Sequence, residues 1–302
     1  MRPELPRTEA VNADTAGLDC VTTAELVRVL AVEQMKAPAA VLRDADALAR
    51  AVDEIASRLS TGGRLHYVGA GTSGRLGFLD ASEMPPTFGT EPSLVCAHIA
   101  GGRSALTQAI EGAEDDGEAG ATEMQAHVRS QDAVVGLSAS GGAAYVVRAI
   151  EVARSIGAWT LGVANNPNSP LGSAAQMQIV LDTGPEPLTG STRLLAGTSQ
   201  KVLLNTLSTA LMVRLGKTYG NLMVDVVATN KKLRVRALQL VMHLTGEDEG
   251  RCRDLVLAAG GSVKLAVLMA RRNVNAPDGR AILETSGGSL RQALEAPDER
   301  NV

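Results

Sequence analysis

Between residues 64 and 183 the apolar positions fall into short β-rich runs, LHYVGA, SLVCAHIA, AVVGLSA, WTLGVAN and MQIVLDT, separated by stretches of helical period. This alternation predicts a parallel sheet covered by helices on both faces, an α/β three-layer architecture. In such a sheet, ligands gather outside the carboxyl ends of the strands. Ahead of it, residues 22–60 read as two helices. Thr22 or Thr23 caps the first, and the second follows the period of AVLRDADALARAVDEIASRL until Gly62 and Gly63 stop it. After Arg193 the run LLAGTSQKVLLNTLSTALMVRLG is apolar around much of its circumference, which predicts a long helix that is buried or at a subunit interface. Beyond Asn230 the pattern is again helical, with breaks at Gly246, Gly260-Gly261, Ala276-Pro277 and Gly287-Gly288. The expected organisation is an N-terminal helical segment (1–60), a ligand-binding α/β domain (61–228) and a small C-terminal helical domain (229–302).

A chain of 302 residues with 45% apolar content can bury a substantial core. The net charge of -4 argues against a polyanionic partner, and residues 1–60 carry seven Lys or Arg against ten Asp or Glu, so the helical head does not read as a DNA-binding module. One Trp, three Tyr and two Phe are too few for a base-stacking groove. MRPELPRTEAVNADTAG contains acids and no apolar run, so neither a signal peptide nor an anchor is expected. No stretch reaches the roughly 18 apolar residues of a membrane span, and the expected location is the cytoplasm. Cys20, Cys96 and Cys252 are scattered and odd in number, which fits reduced thiols, with Cys96 in a strand core. His66, His98, His127 and His243 lack metal-ligand spacing, so no metal site is expected; His66 and His98 read as core histidines in strands.

The first apolar run leads into Gly69-Ala70-Gly71-Thr72-Ser73-Gly74-Arg75, which satisfies the G-x-G-x-x-G pattern of dinucleotide sites. The full fingerprint needs an acid at the end of the second strand, roughly 20 residues on. SLVCAHIAGG ends without one, and Glu91 stands before it. The two hydroxyls and the arginine favour a site for a single phosphate over a dinucleotide turn. The third run ends in a similar turn, Ser138-Ala139-Ser140-Gly141-Gly142, and two such turns on adjacent strands can close on one ligand.

Two carboxylates stand out. Glu83, in LDASEMPPTFG, is expected at the end of the helix that begins at the glycine turn, just before Pro85-Pro86 force the chain out of helix. Glu114, in AIEGAEDDGE, falls at a glycine-marked break between two helices. Acids at helix ends beside a cleft can serve in proton transfer. Equally, Glu83 reads as a solvated surface acid, and Glu114, Asp115 and Asp116 read as acids that favour the start of the next helix through its dipole.

Taken together, HYVGAGTSGRLGFLDASEMPPTFG, HIAGGRSALTQAIEGAEDD, GSTRLLAGTSQK and GNLMVDVVATNKKLRVR resemble, in this order, the N-acetylmuramic acid 6-phosphate etherases of the sugar isomerase (SIS) fold superfamily. The likeness spans nearly the whole chain and is most specific from the glycine turn through Ser82-Glu83-x-Pro-Pro. It implies a cytoplasmic, cofactor-free, homodimeric enzyme that converts its sugar 6-phosphate to N-acetylglucosamine 6-phosphate and D-lactate. By the same resemblance, Glu83 protonates the departing lactate oxygen and then activates water, and Glu114 acts at C2. Gly71, Thr72, Ser73, Gly74, Arg75, Ser138, Ser140, Gly141, Ser191, Thr192 and Arg193 are implied to bind substrate and phosphate.

This chain departs from the family at the second turn, where relatives read Ser-x-Ser-Gly-Arg-Thr-Pro-Tyr and Gly142 and Ala143 stand here, and at Leu195, where a lysine is common. Two further readings therefore accompany the etherase: an isomerase of another sugar phosphate, and a non-catalytic sugar-phosphate sensor resembling the glucokinase regulators.

Overall fold

A computed structural model describes residues 6–225 and 231–297. The chain gathers into two compact units. One runs from the N-terminus to Ala81 and takes in Ser93–Ser208; the other takes Ser82–Pro92 and the chain from Thr209 onward. The expected boundary at 228/229 lies outside the described residues.

The first unit opens with three 3-10 turns, Arg7–Glu9, Ala13–Thr15 and Leu18–Cys20, followed by α1 (Thr23–Gln34), α2 (Lys36–Arg43) and α3 (Ala45–Ser60). Thr22 and Glu25 form a reciprocal capping box at the start of α1. Three helices stand where two were expected, because the second apolar pattern breaks at Asp44, whose backbone (φ -105°, ψ 21°) leaves the helical basin. Leu48, Ala51, Val52, Ile55 and Leu59 of α3 then bury one stripe.

Five strands follow at the anticipated runs: β1 (Leu65–Gly69), β2 (Val95–Ile99), β3 (Ala133–Ser138), β4 (Trp159–Ala164) and β5 (Met177–Val180). They form one parallel sheet in the order β2-β1-β3-β4-β5. β1, β3 and β4 are buried at every residue, as a sheet covered on both faces requires. The intervening helices are α4 (Gly71–Phe88), α5 (Gly117–His127), α6 (Ala144–Ile156) and α7 (Pro170–Ala174). Val68 and Val134 face a core built with α5, α6 and α7. On the opposite face, Gly77 of α4 lies against Tyr67 and Leu137.

After β5 comes α8 (Leu195–Arg214), the long helix expected after Arg193. Leu203, Leu204, Leu207 and Leu211 are buried along it. Next are a two-stranded antiparallel hairpin, β6 (Thr218–Tyr219) and β7 (Leu222–Met223), and the helices α9 (Lys231–Thr245), α10 (Glu249–Ala258), α11 (Val263–Arg272), α12 (Ala276–Thr285) and α13 (Leu290–Glu295). The helix breaks are those marked by glycine and proline in the sequence. In this unit's core, buried Lys264 reaches Asp225 Oδ2 at 2.7 Å and Gly216 O at 3.1 Å.

Candidate functional site

The first glycine turn closes on itself. A Cβ at Gly69 would stand 2.6 Å from the Gly74 nitrogen, and one at Gly74 would stand 2.6 Å from Ile99 Cγ1, so only glycines let the start of α4 press onto the strand end. The helix leaves the first N–H groups of its N-terminal turn without internal partners, which suits an anion. Ser73 is buried, Thr72 half-buried and Gly71 exposed. Arg75, anticipated as a phosphate cation, donates from Nε to the Leu106 carbonyl at 3.3 Å and from Nη2 to that of Gln108 at 3.0 Å. It straps the loop after β2.

The second turn sits at the end of β3, immediately beside β1. Because β1 leads outward to β2 and β3 leads the other way to β4, the two turns flank the point where strand order reverses, the ligand crevice of open α/β sheets. The Gly141 N–H donates to Ser138 Oγ at 3.0 Å, and the Gly142 N–H to Ser140 Oγ at 3.1 Å. Each hydroxyl oxygen is thus occupied as an acceptor; the two hydroxyls also lie 3.4 Å apart, so one donates to the other and the second keeps its proton for an outside anion. Gly141 has φ 71°, and a Cβ there would stand 2.4 Å from that of Ser169, so the turn is backed tightly by the loop after β4. Asn166 Nδ2 reinforces it from behind, donating to the carbonyls of Ala139 and Ser140 at 3.2 and 3.3 Å.

Ser191, Thr192 and Arg193 precede α8. A Cβ at Gly197 would lie 3.3 Å from both the Thr192 carbonyl and Thr72 Cγ2, so this segment adjoins the first turn. Its shape is set by a residue that sequence reasoning missed. Glu186, fully buried, accepts the N–H groups of Leu195 at 2.7 Å and Ala196 at 2.9 Å. Burial pushes its carboxyl above the usual range, opposed by these two N–H donors. Thr15 Oγ donates to the Pro187 carbonyl at 2.9 Å and Asn12 Nδ2 to that of Pro185 at 3.5 Å, pinning the loop on either side of it. The only sequence signal is an acid between two prolines just before a helix. Leu195 is buried, so no side-chain cation is presented from that position.

Glu114 lies in a 3-10 turn, Ala113–Asp115, and the preceding element, Arg103–Leu106, is also a 3-10 turn rather than the helix expected there. It is exposed and lines a cavity of about 150 Å³ together with Gly71, Arg75, Ala100, Ile110 and Gly112. The acidic run therefore divides its work: Asp116 accepts the Ala119 N–H at 2.9 Å as the cap of α5, and Glu114 faces the first turn's cavity.

Glu83 is exposed in the part of α4 that belongs to the second unit. The expected helix end at Pro85-Pro86 is corrected, since α4 continues through both prolines to Phe88. Proline's fixed φ is helical, and adjacent prolines so near the helix end interrupt few N–H bonds. The Gly89 N–H then closes onto the Pro85 carbonyl at 3.0 Å. Glu83 thus stands inside the helix.

Among the described residues no group of three or more His, Cys, Asp or Glu is arranged to hold a metal ion. His66 and His98 are buried and stacked, with His66 Nδ1 3.0 Å from His98 Nε2 and His98 Nδ1 2.8 Å from Glu123 Oε1. Cys96 is only half-buried, because β2 is the sheet's edge. No described helix is long and apolar enough to cross a membrane.

The sheet order and the two hydroxyl-bearing turns at its switch point define a SIS-fold protein. The SIS domain family matches residues 112–212, and the glucokinase regulatory protein N-terminal SIS domain matches residues 47–154. Curated relatives carry the comparison over the whole chain. The N-acetylmuramic acid 6-phosphate etherase of Deinococcus radiodurans is 50% identical over 289 residues, 95% of this chain and 95% of that protein. That of Streptomyces coelicolor is 49% identical over 96% of this chain and 93% of its own length, and that of Escherichia coli O1:K1 is 45% identical over 98% and 99%. The chain belongs to the N-acetylmuramic acid 6-phosphate etherase family.

Proposed function

We propose that this chain, a homodimer in the cytoplasm, cleaves the D-lactyl ether of N-acetylmuramic acid 6-phosphate by elimination followed by water addition. The sugar opens to its aldehyde. Glu114 takes the C2 proton, and the electron pair left at C2 forms the C2–C3 double bond as the C3–O bond breaks. Glu83 protonates the departing lactate oxygen and then, as a carboxylate, activates water. Hydroxide adds to C3, a proton returns to C2, and the products are N-acetylglucosamine 6-phosphate and D-lactate. An alkoxide is a poor leaving group, so general acid help is worth about 10²–10⁴ in rate.

The phosphate is read as held by the N–H groups of Gly71 through Ser73, with Gly74 allowing the close approach of the turn, the hydroxyls of Thr72, Ser73, Ser138 and Ser140, the Gly141 backbone, and Ser191, Thr192 and Arg193. Arg75 serves by fixing the loop that leads to Glu114. Phosphate binding remote from C2 and C3 orients the reacting carbons.

The observation that carries this reading is the cavity in which Glu114 is brought beside Gly71 and Arg75, in a chain alike to named etherases from end to end. Purified protein given N-acetylmuramic acid 6-phosphate is expected to release D-lactate. Glu83→Gln and Glu114→Gln are each expected to lower kcat at least a hundredfold with little change in affinity, within the range of lost acid or base catalysis. A protein that binds the sugar phosphate without turnover would instead be the sensor.

A further inference from the structure

The second turn carries no cation of its own: its residues are Ser138, Ala139, Ser140, Gly141 and Gly142. One arrives from far along the chain. Arg7, in the first N-terminal 3-10 turn, lines with Ser140, Asn166, Asn168 and Ser169 a cavity of about 420 Å³. The neighbouring residue fixes it there, because the Thr8 N–H donates to Asn166 Oδ1 at 3.2 Å and Asn166 Nδ2 donates back to Thr8 Oγ1 at 3.0 Å. The same Asn166 amide holds the carbonyls of Ala139 and Ser140, so the N-terminal segment and the turn share one anchor. Arg7 Nη1 pairs with the Asp182 carboxylate, and Arg43 Nη2 donates to the Asp182 carbonyl. Arg7 is thus tethered in a one-to-one ion pair with a carboxylate whose backbone Arg43 holds, and Arg7 keeps Nε and Nη2 as donors.

We propose that Arg7, delivered by the N-terminal segment, is the cation that grips the substrate's phosphate at the second turn. This rests on reading Ser138–Gly142 as a phosphate-binding turn. The one hydroxyl proton that the Ser138–Ser140 pair leaves over and a guanidinium in the Ser140 cavity form a complementary set for a phosphate monoester dianion. The Arg7 side chain is 56% exposed, which places the expected gain at the weaker end for a charge-assisted bond, about tenfold in affinity.

The test is calorimetric titration with N-acetylglucosamine 6-phosphate and with unphosphorylated N-acetylglucosamine, which needs no turnover. Arg7→Gln is expected to weaken the phosphorylated sugar about tenfold and leave the plain sugar unchanged. Adding Gly142→Arg to that variant is expected to restore binding. A side chain fits there, since a Cβ at Gly142 meets only Ser140 Oγ, at 3.7 Å. If the native protein discriminates between the two sugars but Arg7→Gln does not change either affinity, or changes both equally, the role of Arg7 is overturned alone. If the native protein itself does not prefer the phosphorylated sugar, the phosphate-turn reading falls and Arg7's role with it.

Discussion

The carboxylate of Glu186 accepts the amide proton of Leu195 at 2.7 Å, and with the adjacent amide of Ala196 it fills the N-terminus of α8 from inside the protein. The helix start that follows Ser191–Arg193 is therefore an internally satisfied cap. In the proposed reading of the site, its contribution is the position of Thr192 and Arg193. Replacing Glu186 with Ala leaves two buried N–H groups unpaired, at about 1–3 kcal/mol each. We expect KM for the sugar phosphate to rise at least tenfold while kcat falls less, with Glu186→Gln intermediate because it keeps one acceptor oxygen. Steady-state kinetics checks this, and an unchanged KM in both variants would remove Glu186 from the site's support.

A second buried acid organises the helix that carries Glu83. Asp80 Oδ2 accepts the Tyr67 hydroxyl at 3.0 Å, and Oδ1 accepts Asn205 Nδ2 at 2.9 Å and Ser208 Oγ at 3.0 Å. Burial pushes its carboxyl upward, against the three donors and Lys201. Asp80→Asn cannot satisfy all three donors and is expected to lower stability by about 1–3 kcal/mol in urea unfolding at neutral pH. A raised folded pKa means that the folded state binds the proton more tightly. The gap between native and variant is therefore expected to change as pH falls toward 4, in favour of the native protein.

Glycine demand differs sharply between neighbours in the second turn. Gly141→Ala must place a Cβ 2.4 Å from that of Ser169 at a positive φ, whereas Gly142 faces open space. Gly141→Ala is expected to cost more than about 1 kcal/mol of stability and to weaken N-acetylglucosamine 6-phosphate binding; Gly142→Ala should leave both nearly unchanged. Thermal unfolding and calorimetry on the pair read out the contrast.

The histidine pair gives the fold an acid limb. Burial first, and the neighbouring His98 second, lower the His66 pKa to about 4. The unfolded chain, with an ordinary value near 6.5, binds this proton earlier as pH falls. The stability His66 supports is therefore complete above pH 6.5 and is lost between there and about pH 4, by roughly 3 kcal/mol. His66→Gln should flatten that part of the stability–pH curve. An equally steep curve in the variant would assign the acid limb to other groups.

The five strands were legible because each is an apolar run closed by glycine or polar turn residues, and a parallel sheet buries every position of its central strands. The two glycine- and hydroxyl-bearing turns at the ends of β1 and β3 were legible for the same reason, since their glycines and hydroxyls are contiguous. What the sequence hides is long-range. Arg75 reads as an anion ligand, and nothing local marks that its guanidinium also holds the carbonyls of Leu106 and Gln108. Glu186 reads as a loop acid because only folding brings its own helix start onto it. The persistence of α4 through Pro85-Pro86 escaped because local rules treat proline as a stop, whereas here the helix continues only to Phe88. Asp44 shows the converse, a break inside a periodic pattern that the apolar spacing alone does not mark.

The most direct test of the chemistry is isotopic. N-acetylmuramic acid 6-phosphate is turned over in deuterated, ¹⁸O-enriched water, and the N-acetylglucosamine 6-phosphate is examined by mass spectrometry and NMR. Elimination and water addition predict deuterium at C2 and ¹⁸O at C3. Lactate release with the original C2 hydrogen and C3 oxygen retained would contradict the account.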